Sequence, residues 1–215
     1  QDVRIRYVRQ AENKGAVDNF QFVLDQAQGD YFMWAACDDL WDRKWVEKLC
    51  DALVISSAGA AFGQVIPINE FSHPVPHIVL ANTFDFTGPR YLRRIRYYLE
   101  YEGKGKANLM YSLFKREALL NTKISSYEID YIVIFYLLNT IDIVSIEGVY
   151  FYKRYHVDAA GYVALDKKKV LRKMASFFVP IHLGLIRGYL DNSSCLERLL
   201  FLILIPVKYL IAYIA

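Results

Sequence analysis

The amino-acid sequence predicts an α/β fold in which helices flank a mostly parallel β-sheet. Short apolar runs alternate with stretches of helical periodicity, and turn signals separate them. A content of 54% hydrophobic and 15% aromatic residues supplies a large core. At 215 residues the chain suits one domain, or one domain with an appendage.

The first part of the chain supplies the strand–helix alternation. Residues 4–9 alternate apolar and charged side chains and predict a strand, and residues 13–15, Asn-Lys-Gly, are a turn signal. Apolar residues then recur at helical spacing from Val17 to Ala27, and Gly29 ends that helix. The next elements are a buried strand, a helix and another strand, at residues 31–36, from near Asp42 to Leu53, and at 60–68.

Two adjacent acids, Asp38 and Asp39, follow the buried strand. In parallel sheets, ligands collect beyond the carboxyl ends of the strands. Adjacent carboxylates repel each other unless solvated or neutralised, and hard oxygen ligands suit Mg²⁺ or Mn²⁺, which also take phosphates. The pair therefore predicts a metal site that holds a diphosphate. The alternative is that both acids only cap the helix starting near Asp42.

The middle of the chain is less regular. Residues 67–89 contain four prolines, residues 90–101 are aromatic and basic, and residues 103–106, Gly-Lys-Gly-Lys, form a basic loop. We interpret residues 90–101 as an amphipathic helix over an acceptor site or near an anionic membrane, in preference to a nucleic-acid surface. The loop could close over phosphates but does not match a P-loop. A strand, a helix and two further strands are predicted at residues 109–114, 128–139, 141–146 and 149–155.

The composition shifts after residue 166, which divides the chain into residues 1–166 and a helical region, 167–215. From Leu199 to the end the only charge is Lys208, and Pro206 interrupts the apolar run. That run is at the short limit for a membrane span, so an interfacial or re-entrant helix is expected. A helix that docks on a neighbouring domain or subunit is the alternative.

The overall charge and the cysteines exclude several classes of protein. A formal net charge of +3 is too small for the basic footprint of a nucleic-acid binder. Three cysteines without a CxxC pair argue against a disulfide scaffold or zinc knuckle and fit a reducing, cytoplasmic compartment. The chain opens without an initiator Met or signal peptide, so we expect residues upstream of it.

The order of motifs over residues 4–53 resembles that of the family 2 glycosyltransferases. The segment has the Asn-x-Gly turn, a helix with a further Asn at Asn19, a Gly-Asp-Tyr step at 29–31, an apolar strand, and acids followed by the aromatic Trp41. The resemblance implies a GT-A-like fold that lacks its first, nucleotide-binding strand here. It places the family's DxD motif on Cys37, Asp38 and Asp39, with Cys37 expected to be a buried, inert thiol in place of the first acid. Asp39 would then be the principal metal ligand and Asp38 would assist.

The second half carries further parts of the resemblance. Residues 108–120 resemble the acceptor-side strand and the helix start after it. Inverting members carry a general base at the distance of Glu128 and Asp130; we choose Asp130, with Glu128 as the alternative. Asp130 could also be no more than a first-turn acid favoured by the helix dipole. The closing strand would end in Arg154 and His156, which would contact the diphosphate or, for His156, complete the metal shell; a plain surface histidine is the alternative.

The implied reaction moves a sugar from a UDP- or GDP-linked donor to an acceptor hydroxyl, with inversion and with Mg²⁺ or Mn²⁺. The acceptor would be a saccharide or lipid-linked molecule of cell-surface polysaccharide or glycolipid synthesis, at the cytoplasmic face of a membrane, with no nucleic-acid partner. Two rivals remain. One is a non-catalytic GT-A-like binding or scaffold module, and the other is a nucleotidyltransferase-like enzyme, which would normally show a glycine-rich phosphate loop before the acids.

Overall fold

A computed structural model describes residues 2–76, 81–120, 122, 124, 129–155 and 180–214. The strands are β1 Tyr31–Phe32, β2 Leu40–Trp41, β3 Ala60–Ile68, β4 Leu113–Lys115 and β5 Ile143–Arg154. The helices are α1 Gly15–Asp25, α2 Trp45–Ser56, α3 Arg90–Leu99, α4 Ile129–Leu137, α5 Pro180–Asp191 and α6 Cys195–Ile214.

The five described strands form one mixed sheet in the order β1-β4-β3-β5-β2. Helices flank it, so the α/β class is confirmed. Only β3 and β5 pair in parallel, and the other three pairings are antiparallel. The long β3–β5 pairing dominates the sheet, as expected, and the three antiparallel pairings cover two residues each. The strand expected at residues 4–9 does not form, and those residues lie exposed at the surface.

Three strand boundaries differ from the expected ones. The strand at residues 31–36 stops at Phe32. The expected strand at 109–114 is replaced by a 3-10 turn, Lys106–Tyr111, before β4. Two predicted strands fuse into β5, whose register against β3 shifts where Gly148 takes a left-handed φ of 75° and its N–H donates to Gln64. A period-2 pattern does not reveal an irregularity within a strand.

The core confirms the central part of the prediction. Trp45, Leu49 and Leu53 of α2 are all buried, as their one-turn spacing predicts, and they pack on the sheet. Residues 60–68 form β3 with the predicted bounds, and this strand is almost wholly buried. A second layer of aromatic side chains joins α3, α4, α5 and α6, through Tyr97, Phe135, Tyr189 and Phe201.

The two C-terminal helices dock on this second layer. Tyr98 of α3 stacks on Phe201 of α6 with ring centroids 4.6 Å apart, and Arg94 of α3 donates to Glu197 of α6 at 2.8 Å. The inner face of α6 thus docks on earlier parts of the same chain. The boundary predicted at residues 166 and 167 falls outside the described residues, so that division stays a prediction. Among the helices the structure describes, none combines the length and apolarity required to cross a bilayer.

Several basic side chains of the middle region turn inward. The helix predicted at 90–101 is present as α3, but Arg93 and Arg94 are buried. Lys106 is fully buried too, donating to the carbonyls of Tyr97 and Glu100 at 2.6 Å. Burial lowers the pKa of Lys106 to about 7, although Glu102 opposes the shift. The interpretation of Lys106 as part of a phosphate-covering loop is therefore wrong.

Candidate functional site

The acid pair lies where β2 meets the end of β5. Leu40 pairs with Tyr152 and Trp41 pairs with Phe151 in antiparallel register. One step further along the register, Asp39 comes opposite Lys153. Asp39 therefore lies at the carboxyl ends of the parallel strands β3 and β5, where we expected it.

Asp39 is a buried, fully engaged carboxylate. Its residue is 5% exposed, and its Oδ1 accepts the backbone N–H of Arg154 at 2.8 Å. Its Oδ2 accepts from the ammonium of Lys153 at 2.9 Å. Burial alone would lower the pKa of Lys153, but the Tyr111 oxygen and the Asp39 carboxylate outweigh it and raise that pKa above its ordinary value. Lys153 therefore stays charged and balances Asp39, which does not cap a helix.

The neighbouring residues Cys37 and Asp38 are both exposed. The expectation that Cys37 is buried is wrong, because residues 37 and 38 form a turn between β1 and β2. The turn puts consecutive side chains in different environments, so that Asp38 reaches the surface while Asp39 points into the interior.

Arg154 fastens this turn to a second loop. Its Nε donates to the carbonyl of Asp38 at 2.7 Å. Its two Nη atoms donate to the carbonyls of Asn69 and Glu70, at 2.7 and 3.0 Å, and to the Ser72 hydroxyl at 2.9 Å. A planar guanidinium suits such a fork of acceptors. Arg154 thus holds the acid-bearing turn, and its contact with a diphosphate stays a prediction.

Tyr111 connects the acid pair with the predicted base. Lys153 lies over the Tyr111 ring, 4.9 Å from its centroid. Burial raises the pKa of the Tyr111 phenol; Lys153 opposes the rise, and the negative charges of Asp130 and Asp39 add to it. Both acids are therefore within electrostatic range of one phenol. Asp130 lies half-buried in the first turn of α4, which agrees with the dipole interpretation and leaves the base role open.

A divalent cation fits this arrangement poorly at Asp39. Both carboxylate oxygens already accept from N–H donors, and Lys153 supplies the balancing charge. Within the part of the chain that the structure describes, no three His, Cys, Asp or Glu side chains cluster as metal ligands do. Ligation by Asp39 would require Lys153 to move away. The Mg²⁺ or Mn²⁺ requirement stays a prediction.

Two predicted site residues, Glu128 and His156, lie outside the described residues. The structure adds two that the sequence did not reveal, Lys153 and Tyr111. Lys153 had a weak signal, since it precedes Arg154 in the closing strand. Tyr111 had none, because its place depends on how the 3-10 turn packs against β5.

A cavity of about 570 Å³ lies elsewhere, lined by Gly59 and Asp142 among other residues, beside the amino ends of β3 and β5. Its Arg93 and Asp142 side chains pair with each other. In α/β sheets the ligand site is expected at the carboxyl ends, so we place the candidate site at Asp38 and not at this cavity.

The sequence profile described as Glycosyl transferase family 2 matches residues 1–121. No curated protein sequence matches the chain. Among solved structures, S. aureus TarS 1-349 in complex with UDP-GlcNAc is similar with a TM-score of 0.52 and 13% identity, covering 87% of this chain and 50% of TarS. A second crystal structure of S. aureus TarS 1-349 gives 0.50 and 10%, covering 83% and 60%. This likeness shows the fold alone, and the chain spans about half of the matched TarS structures.

Proposed function

The chain belongs to glycosyl transferase family 2, and on that premise we propose that it takes part in transferring a sugar from a nucleotide-diphosphate donor to an acceptor hydroxyl. The observation that carries the proposal is the cluster of Asp38, Asp39, Lys153 and Tyr111 at the carboxyl end of β5, with Asp130 in electrostatic range. Charged and titratable groups gathered at such an end are typical of a catalytic site.

We assign the two adjacent acids different roles. Asp39 is paired with Lys153 and holds the turn in place, whereas the exposed Asp38 lies on the side proposed for the donor, where its carboxylate accepts a hydrogen bond from a ribose hydroxyl. Lys153 is 22% exposed at its side chain, so its ammonium also contributes positive potential beside the position of the diphosphate. The DxD resemblance gave the principal role to Asp39 and a helping role to Asp38, whereas this proposal gives the contact with the donor to Asp38. No step of the reaction below depends on a metal ion.

The proposed step is a direct displacement at the anomeric carbon. Asp130 accepts the proton of the acceptor hydroxyl while that oxygen forms the new bond to the sugar. The bond between the anomeric carbon and the diphosphate oxygen breaks, and its electron pair leaves with the nucleoside diphosphate. Attack from the face opposite the leaving group inverts the anomeric configuration.

The donor and acceptor are proposed as classes of compound. A UDP-sugar is the first donor to test, because the similar TarS structure contains UDP-GlcNAc, and a GDP-sugar is the second. The acceptor is a saccharide or a lipid-linked molecule of cell-surface polysaccharide or glycolipid synthesis, used at the cytoplasmic face of a membrane. Nucleic acid is not expected, since the net charge is only +3.

Calorimetric titration of UDP and GDP into the chain, with Mn²⁺ and with EDTA, tests the proposal. We expect one nucleotide to bind and ADP to bind more weakly. Equal affinity in Mn²⁺ and EDTA would assign the balancing charge to Lys153, whereas binding only with Mn²⁺ would establish the predicted ion. No binding of either nucleotide, by a chain that folds normally, would favour the alternative of a non-catalytic GT-A-like module.

A further inference from the structure

Helix α6 presents two faces of opposite character. Its inner face carries Glu197, Phe201 and Lys208, all nearly fully buried. Its outer face carries aliphatic residues between 42% and 75% exposed: Leu196, Leu199, Leu202, Ile203, Val207, Leu210 and Ile214. Apart from the adjacent Leu202 and Ile203, they are three or four residues apart, which places them along one side of the helix.

Two charged side chains of α6, Glu197 and Lys208, are buried on its inner face and form ion pairs there. Glu197 accepts from Arg94 at 2.8 Å. Lys208 forms an ion pair with Glu102 and donates to the carbonyl of Tyr98 at 2.7 Å. Lys208 is the only charged residue after Arg198, so from Leu199 to Ile214 the outer face of α6 carries none. Twenty helical residues extend about 30 Å. A contiguous aliphatic stripe of that length marks an interaction surface.

The composition of the stripe favours lipid over protein as the occupant. Protein interfaces concentrate Trp, Tyr and Arg in their centres, whereas this stripe contains only Leu, Ile and Val.

Positive charge borders the stripe. Arg198 lies one residue before Leu199, is exposed, and donates to the carbonyls of Leu190 and Ser193. Within the described ranges no carboxylate lies at ion-pair distance from Arg198, so its charge is available to anionic headgroups. The chain is also basic overall, with a sequence pI of about 8.6. These charges complement an anionic bilayer.

We propose that the outer face of α6 inserts into the interfacial layer of an anionic bilayer while its inner face stays docked on α3. The helix lies along the membrane surface, because Glu197 and Lys208 on its inner face are held in buried ion pairs with the rest of the chain. The surface binds lipid whether or not the proposed transfer reaction occurs.

Co-sedimentation of the full chain with vesicles tests this surface. We expect binding to mixed phosphatidylcholine–phosphatidylglycerol vesicles that weakens roughly tenfold or more in Leu199→Glu/Ile203→Glu, since two aliphatic side chains then stop entering the bilayer. The matched control Val54→Glu/Ile55→Glu changes two residues of α2 that are 72% and 84% exposed, and its binding should stay at the wild-type level. Arg198→Gln should weaken binding to the mixed vesicles by roughly fivefold and leave binding to phosphatidylcholine alone unchanged.

A second pair, Leu210→Glu/Ile214→Glu, repeats the test if the first variant misfolds by circular dichroism. Wild-type chain that stays in the supernatant overturns the proposal, as does equal binding by the stripe and control variants. Light scattering on the same samples tests whether a second copy of the chain covers the outer face of α6 instead of lipid. A dimer that the stripe variants convert to monomer would show that it does.

Discussion

Two buried ion pairs of similar chemistry serve different ends in this chain. At α6, Arg94 and Glu197 have side chains that are 0% and 4% exposed, and both are closed off from any ligand. At the candidate site, Asp39 is equally buried, but Lys153 keeps 22% of its side chain exposed beside the exposed Asp38. The first pair fixes a helix in place. The second fixes a turn and leaves charge at the surface, where a ligand can use it. The nearest cation of Glu197 is thus closed to a ligand, whereas the cation that pairs with Asp39 is partly exposed.

The largest expected effect concerns activity. Asp130→Asn should lower the rate of sugar transfer roughly 10²- to 10⁴-fold, because the amide cannot accept the hydroxyl proton. Nucleotide affinity should be unchanged, since Asp130 acts on the acceptor side. The matched control is Asp18→Asn, in the first turn of α1. If both variants transfer sugar at the wild-type rate, Asp130 is only a first-turn acid.

The buried Arg94–Glu197 ion pair should contribute more to stability than the Asp39–Lys153 pair. Glu197→Ala leaves the buried Arg94 guanidinium without its carboxylate and should cost about 3–5 kcal/mol in the free energy of unfolding. Urea denaturation measures the difference. Glu47→Ala on the exposed side of α2 should change stability by less than about 0.5 kcal/mol. Similar values for the two variants would contradict the role given to Glu197.

The Asp39–Lys153 ion pair of the candidate site should contribute less to stability. Asp39→Asn removes the charge that faces Lys153, but Lys153 can turn partly toward solvent, so about 1–3 kcal/mol should be lost. Asp38→Asn, at an exposed side chain, should lower the unfolding midpoint in urea less than Asp39→Asn does. A midpoint that falls as far for Asp38→Asn as for Asp39→Asn would remove the proposed division of roles.

A smaller effect should appear in the pH dependence. Burial opposes ionisation of Glu197, but Ser194 and Arg94 outweigh it and hold its pKa below the ordinary 4.5. The folded chain then binds fewer protons than the unfolded chain near that pH, so this stability is present above about pH 4.5 and is lost as the pH falls through the folded pKa. Between pH 6 and 4 the Tm of wild type should fall further than that of Glu197→Gln. Parallel curves would show that Glu197 does not titrate in this way.

The sequence predicted elements whose periodicity is strong and local. The bounds of β3 and the inward side of α2 followed from apolar spacing alone, and the family followed from the order of motifs over residues 4–53. Partners distant in sequence could not be predicted. Asp39 meets Lys153, 114 positions away, and Lys208 meets Glu102, 106 positions away. In a single sequence these side chains look like surface charges, because burial and pairing depend on the tertiary fold.

The same limit affected the assignment of roles at the acid pair. Residues 38 and 39 are chemically identical, and the turn before β2 puts one side chain at the surface and the other in the interior. The resemblance to DxD motifs therefore could not predict which of the two acids is exposed.

Calorimetric titration of UDP into wild type, Asp38→Asn and the exposed α2 control Asp51→Asn tests the central claim most directly. The account predicts that Asp38→Asn loses most of the nucleotide affinity while it keeps the circular dichroism spectrum of the folded wild type, and that Asp51→Asn binds normally. Wild-type affinity in Asp38→Asn, measured on protein that binds UDP before the substitution, would contradict the placement of the donor at Asp38.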